Sequence, residues 1–250
     1  MKTASAVMRH ALVTGGGRGI GAAIAEALLV AGYQVTITGR DKATLDQALK
    51  SLPDSKRCRA VAMDVADPAA VALGMTEART GFGPVSILVN NAGQAESAPF
   101  ATTDTGLFER MLAVNLGGVF HCTQAILPDM LAAQWGRVIN IASTAGLVGY
   151  AYVSAYCAAK HGVIGLTRAL AAELGGQGIT VNAISPGLTR HPGSAAHLPP
   201  AAFEFVRQRQ FIPRTEVPED LTGALAFLVS DDDAFYTGQV MNVDGGGFGF

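Results

Sequence analysis

In the run SAYCAAKHGVIGLTRALAAEL, from Ser154 to Leu174, a tyrosine and a lysine, Tyr156 and Lys160, interrupt residues that are otherwise mostly small or apolar. Four positions apart, they share one face of a helix. Neither is needed to fill a core, and an ammonium beside a buried phenol is costly to hold. A free tyrosine ionises near pH ~10, too high for proton exchange around neutrality. A neighbouring ammonium favours the phenolate and lowers that value, and a general acid/base works best with its pKa near the working pH. The pair predicts a proton-transfer site in which the lysine makes the tyrosine acidic. By itself Tyr-x-x-x-Lys is a frequent accident, so the assignment depends on what accompanies it.

Far from it in sequence, TGGGRGIG (Thr14–Gly21) follows a short apolar run and opens into a helical pattern. Glycines there permit positive φ and let the backbone approach a pyrophosphate seated on the helix N-terminus. Gly15, Gly17, Arg18, Gly19, Ile20 and Gly21 form this expected cradle, although Gly15-x-x-x-Gly19-x-Gly21 is not the common G-x-G-x-x-G. The next strand ends TITGRD. An NAD site places a carboxylate near this strand end for the ribose 2′-OH, whereas an NADP site places an arginine for the 2′-phosphate. Gly39 stands where the acid is expected and Arg40 follows, with Arg18 a second cation for the same phosphate. Asp41 speaks for NAD, but its position before Lys42 suits a helix cap better. NADP(H) is expected, with NAD(H) as the alternative.

The elements that must position these residues alternate along the chain. HALVTG, QVTITG, CRAVAMDV, VSILVNNAG, GRVINIAS, ITVNAISPG and GQVMNVDGG read as seven buried strands, rich in β-branched residues and closed by turn formers. Helical patterns lie between them over 20–31, 42–52, 69–80, 107–131, 154–174 and 219–228. Strands apolar on both faces and alternating with helices predict an α/β fold: a doubly wound, mainly parallel seven-stranded sheet in one domain over residues 1–250. Its ligand crevice lies beyond the carboxyl ends of the strands. The segment 187–217, proline-rich yet apolar, is expected to be a long lid loop, whose Phe203, Phe205 and Phe211 either close over a substrate or pin the loop to the body.

The bulk numbers agree. Of 250 residues 49% are hydrophobic and 15% charged, enough for a large core and unlike a disordered chain. A net charge of −2 without a basic cluster argues against nucleic acid. Cys58, Cys122 and Cys157 have no metal-ligand spacing and read as reduced, buried residues, so a cytoplasmic location and no metal are expected. No signal peptide is recognised at the N-terminus, and no run is expected to cross a bilayer.

TGGGRGIG, NNAG (Asn90–Gly93), Asn115 in AVNLGG, Ser143 in NIASTAG, YCAAK (Tyr156–Lys160) and ISPG (Ile184–Gly187) occur in one order. Together they resemble the short-chain dehydrogenase/reductase family, in the form that binds coenzyme and substrate within one Rossmann-type domain. The resemblance spans the whole chain and points towards 3-oxoacyl-carrier-protein reductases and related ketone or secondary-alcohol oxidoreductases. It implies hydride transfer at C4 of a nicotinamide, with Tyr156 as general acid/base and Ser143 steadying the substrate oxygen. It also implies that Lys160 binds the nicotinamide ribose and that Asn115 holds a water linking Lys160 to solvent. Asp64 and Val65 fall where the family contacts adenine, although Asp64 also suits a turn cap; Asn90, Asn91, Ala92 and Gly93 match the motif lining the adenine-ribose side and steadying the sheet. Pro186, Gly187 and Thr189 fall on the nicotinamide side. The family often has a threonine near the nicotinamide carboxamide where this chain has His191, with Thr189 two residues earlier; which of them makes that contact is left open.

The helices carrying Asn115 and Tyr156 are apolar nearly all round, which predicts cover on two sides. A second copy is the economical answer, and the resemblance implies a homotetramer, a dimer of dimers, with the tail DGGGFGF at another interface. A small-molecule carbonyl or alcohol is the expected substrate. The competing readings are an NAD-dependent secondary-alcohol dehydrogenase and, from another class, a dinucleotide-binding sensor without turnover. The intact Asn115, Ser143, Tyr156 and Lys160 set argues against the sensor.

Overall fold

Continuous β-branched runs with both faces covered produce seven strands: β1 (His10–Thr14), β2 (Gln34–Gly39), β3 (Cys58–Ala62), β4 (Ile87–Asn90), β5 (Gly136–Ile141), β6 (Ile179–Pro186) and β7 (Val240–Val243). The computed structural model describes residues 8–232 and 234–247. All strand pairs are parallel, in the order β3-β2-β1-β4-β5-β6-β7. Every residue of β1 and of β6 is buried, as central strands of a parallel sheet must be. The order reverses between β1 and β4, so a crevice opens there beyond the strands' carboxyl ends.

The helices are α1 (Gly19–Val30), α2 (Lys42–Ser51), α3 (Pro68–Phe82), α4 (Thr105–Leu112), α5 (Gly118–Ala133), α6 (Ser154–Leu174), α7 (Pro192–His197), α8 (Pro200–Arg207) and α9 (Thr222–Val229). One core cluster joins the sheet to α1, α2 and α9 through Ile24, Leu28, Leu45 and Leu225. Another joins the opposite face to α3, α5 and α6 through Val71, Met75, Ile126 and Leu174. The doubly wound single domain is therefore present, and its sheet is wholly rather than mainly parallel. Cys58, Cys122 and Cys157 are buried and free, and burial pushes the first two thiols up to about 11 and about 12.

Three expectations change. The helix over 107–131 runs instead from Thr105 to Ala133 and contains a π-helical stretch, Ala113–Gly117, where Gly118 N donates to Ala113 O. Gly118 has to be a glycine there, since a Cβ would stand 2.6 Å from Val65 Cγ2. This span of 29 residues has a mean hydropathy of 1.2, long and apolar enough to cross a membrane, contrary to the sequence reading. Its Cys122, Ile126 and Met130 nevertheless pack into the core on the sheet. Finally, 187–217 is not a plain loop but carries α7 and α8. Phe203 of α8 is buried and pins it, while Phe205 and Phe211 stay exposed. Of the tail DGGGFGF, expected at another interface, Phe248–Phe250 lie outside the described residues.

Candidate active site

Ser143 follows the end of β5 in extended conformation and caps the next turn by accepting from Ala145 N at 3.1 Å. The Tyr156 hydroxyl, carried by α6, lies close enough to the Ser143 side chain for the two to interact. One turn on, Lys160 is buried and donates from Nζ to Ile141 O, the last residue of β5, at 2.7 Å. The ammonium lies 5.7 Å from the centre of the Tyr156 ring. Gly146 lets the serine loop lie on α6, because a Cβ would come within 2.7 Å of Lys160 O. Ser143, Tyr156 and Lys160 thus meet at one strand end, as the sequence predicts.

Their electrostatics correct the sequence argument. Burial raises the Tyr156 pKa above the ordinary phenol value, and the Ser143 hydrogen bond draws it only part of the way back. Burial pushes Lys160 down to about 8. The lysine does not itself make the tyrosine acidic. Withdrawing a phenolate from water is the larger effect, and one Lys160 N–H is given to a backbone carbonyl.

Asn115 sits in the π stretch with no exposed surface. Both its N–H groups are used, donating to Gln94 O (2.9 Å) and Met111 O (3.0 Å), while Oδ1 accepts from Gln94 N at 3.2 Å. A Cβ on Gly93 would lie 2.8 Å from Asn115 Oδ1 and 3.7 Å from Lys160 Nζ. The Asn115 amide therefore holds the 93–94 backbone beside Lys160, and its N–H groups are not free to bind the implied water. Gln94, as its partner, is invisible from sequence.

The glycine turn, at the end of β1, lies across β4 from this cluster. Gly15 and Gly19 have φ of +64° and +55°, and a Cβ on Gly21 would be 2.2 Å from Gly15 O. Asn91 braces the turn, donating from Nδ2 to Thr14 O and Gly15 O. The Thr14 hydroxyl accepts from Asn91 N and Ala92 N, a role the sequence reading missed although a strand-end threonine before glycine is a signal for it. Asn90 lies beneath, bonded to Asn140 and Thr123, and steadies the sheet. Helices α2, α3 and α4 are capped by Asp41, Asp67 and Asp104, whereas no side chain caps α1. An uncapped N-terminus over a floor that only glycine permits fits a diphosphate.

At the end of β2, Arg40 is exposed, as is Arg18 in the turn, and neither has an ion-pair partner among the described residues. Asp41 is committed to α2, accepting from Ala43 N (2.9 Å) and the Thr44 hydroxyl (2.6 Å). Asp64 Oδ1 accepts from Ala66 N, the local turn that was its other reading. Val65 is buried against Gly118, with its carbonyl bonded to His121 Nδ1. Gly17 approaches Thr44, and Ile20 packs on the core below the turn. After Pro186, Gly187 N and the Thr189 hydroxyl both donate to Glu216, at 2.9 and 2.7 Å. The Thr189 hydroxyl proton is thereby given to Glu216. The residue that reaches the glycine turn is His191, whose ring lies against Gly19.

Comparison with known proteins agrees with this geometry. The family model for short chain dehydrogenases matches residues 9–199. A 2-(S)-hydroxypropyl-CoM dehydrogenase from Xanthobacter autotrophicus is 37% identical over 240 residues, 94% of each chain. An acetoacetyl-CoA reductase from Rhizobium meliloti is 38% identical over 243 residues, 95% of this chain and 98% of that one. The crystal structure of a variant actinorhodin polyketide ketoreductase with NADPH superposes with a TM-score of 0.92 at 34% identity, covering 97% of this chain and 98% of that one. The chain belongs to the short-chain dehydrogenase family. It is an oxidoreductase acting between alcohol and carbonyl groups of small molecules, and its family binds NAD(P).

Proposed function

We propose that the protein is an NADPH-dependent reductase that converts a ketone or 3-oxoacyl group to a secondary alcohol. The observation that carries this reading is the meeting of Ser143, Tyr156 and Lys160 at the end of β5, in the crevice that the uncapped glycine turn also faces. The acetoacetyl-CoA reductase and ketoreductase relatives supply the substrate class. Arg18 and Arg40, exposed and without carboxylate partners among the described residues, favour the 2′-phosphate of NADP(H), while Asp41 is occupied as a cap.

The bound coenzyme would supply the hydride, and in its oxidised form a positive charge near the phenol. Gly15, Gly17, Gly19, Ile20 and Gly21 hold its diphosphate, Asp64, Val65, Asn91, Ala92 and Gly93 flank its adenosine half, and Pro186 and Gly187 its nicotinamide half. In reduction the Tyr156 hydroxyl gives its proton to the substrate oxygen while Ser143 hydrogen-bonds the same atom and stabilises its developing charge. Lys160, with a pKa of about 8, is poised to replace that proton near neutrality. Asn115 keeps the 93–94 backbone in place beside it.

The second reading is an NAD-dependent secondary-alcohol dehydrogenase, favoured by the hydroxypropyl-CoM dehydrogenase relative. A panel of 3-oxoacyl thioesters, cyclic and aliphatic ketones and the matching alcohols, run with each coenzyme while following the absorbance of the reduced form, separates the two. Faster 3-oxoacyl or ketone reduction with NADPH is expected; turnover with NAD(H) alone would reverse the assignment.

The assembly we propose is a homotetramer in the cytoplasm. Leu112, Leu116, Phe120, Gly162, Leu166 and Ala169 line a hollow across the outer faces of α4, α5 and α6, and Phe120 remains 48% exposed. Small residues on α6 would let a second copy of the same helices approach closely, covering the side of these helices that the sheet leaves open.

A further inference from the structure

The first turn of the lid is tied down at both ends. At its base, Glu216 holds Gly187 N and the Thr189 hydroxyl. At its far end stands His191, the residue before α7. Nδ1 of His191 accepts from Gly193 N (3.2 Å) and Ser194 N (3.4 Å), and the Ser194 hydroxyl accepts from His191 N (3.0 Å) and donates to Thr189 O (2.9 Å). Two backbone N–H groups aimed at Nδ1 require that nitrogen to be the acceptor, so the ring proton is on Nε2. Burial and the charge of Arg18 hold the imidazole below its usual pKa, in keeping with a neutral ring.

The ring is packed against the first residue of α1. A Cβ on Gly19 would stand 2.9 Å from His191 Nδ1, 3.1 Å from Cγ and 3.2 Å from Cε1. Gly19 is where the chain turns, at φ +55°, into the helix whose N-terminus no side chain caps. Nε2–H has no hydrogen-bond partner among the described residues, although the cap fixes the ring in place. A neutral donor is thus held at the rim of an anion cradle, on a segment that belongs to the lid.

We propose that His191 is a coenzyme ligand, donating from Nε2–H to a diphosphate oxygen of the dinucleotide on the Gly15–Gly21 turn and so fastening α7 and α8 over the crevice when coenzyme binds. The assignment rests on the coenzyme reading above and extends it. The lid becomes responsive to coenzyme, because the ring that reaches the diphosphate is the N-cap of α7.

The experiment separates the cap from the ligand. In His191→Asn the side-chain oxygen takes over from Nδ1, asparagine being among the best N-caps, but no N–H extends to the place of Nε2. Dissociation constants are measured by fluorescence titration for NADPH and for adenosine 2′-monophosphate, which keeps the 2′-phosphate but lacks both phosphates of the diphosphate bridge. Amide hydrogen exchange of 192–207 is followed with and without NADPH. The expected result is NADPH affinity weakened about tenfold, the loss of a hydrogen bond to a charged acceptor. Affinity for the monophosphate stays unchanged, and NADPH protects the lid in the wild type but not in the variant. Unchanged NADPH affinity would reduce His191 to a cap and overturn the proposal. Equal weakening of both ligands would show a disturbed turn and overturn it as well. Wild-type protein that binds neither NADPH nor NADH would sink the coenzyme reading itself, and this assignment with it.

Discussion

Lys160 Nζ donates to Ile141 O at 2.7 Å, so the cation expected to act on Tyr156 is fastened to the strand that leads into Ser143. The consequence is a division of labour in the pair. The lysine is a buried base of depressed pKa that fixes the end of β5 against α6, while the tyrosine keeps its proton until something else offsets its burial. A lysine held this way has a cost to folding that a catalyst tolerates.

That cost is measurable with Lys160→Met. Lys160 has a folded pKa below its unfolded value, so its contribution to stability is most favourable above about pH 10.5 and is lost as pH falls through about 8. Below pH 8 the shift corresponds to about 3 kcal/mol against folding, in part offset by the Ile141 hydrogen bond. Denaturant titration is expected to find the variant at least as stable as wild type at pH 7, with wild type gaining on it between pH 8 and 10. Turnover should fall by about a hundredfold or more. A variant both active and less stable at pH 7 would contradict this account.

Tyr156→Phe removes the proton donor but leaves the ring. Turnover is expected to drop by about a thousandfold or more, while the NADPH dissociation constant changes by less than about threefold. Because burial raises the Tyr156 pKa, the free enzyme holds a phenol across the neutral range. Alcohol oxidation should therefore speed up as pH rises, with an apparent pKa lower in the coenzyme complex than in the free enzyme, and pH profiles of kcat and kcat/KM read the two values.

Arg40→Asp and Arg18→Ala address coenzyme choice. Each arginine is exposed and has no ion pair among the described residues, so its loss costs the fold little. The KM for NADPH is expected to rise by about tenfold or more for Arg40→Asp, with that for NADH unchanged or lower. Raised ionic strength should narrow the difference. Equal effects on both coenzymes would remove these residues from the 2′-phosphate site.

Glu216 offers a stability test. Burial raises its pKa to about 7, with nearby Asp220 and Asp244 adding to the rise, while the Thr189 and Gly187 hydrogen bonds pull the other way. For an acid with a folded pKa raised from 4.5, the contribution is intact below pH ~4.5 and is lost as pH rises through 7. Wild type should lose up to about 3 kcal/mol relative to Glu216→Gln between pH 5 and 8. The difference is read as the change in the gap between their melting temperatures. A constant gap would show that Glu216 titrates normally.

Much of this protein is written locally. Short runs rich in apolar and β-branched residues and closed by turn formers, as in β1 and β6, mark strands whatever lies on either side, and Asp41 before Lys42 marks a cap because the hydrogen bond closes within two residues. Only glycine suits positive φ at Gly15 and Gly19, so the coenzyme turn shows in composition. The shared helix face of Tyr156 and Lys160 follows from spacing. Tertiary structure decided everything that depends on who is buried beside whom. Desolvation, set by packing from several elements, reversed the expected shift of Tyr156. Asn115 found Gln94 across 21 positions, and Thr189 was drawn to Glu216 across 27, leaving His191 to reach the glycine turn. Helices α7 and α8 are too short to announce themselves by periodicity; buried Phe203 and the His191 cap hold them in place. Backbone geometry is settled over a few residues, whereas hydration and hydrogen-bond partners are settled by contacts that exist only once the chain has folded.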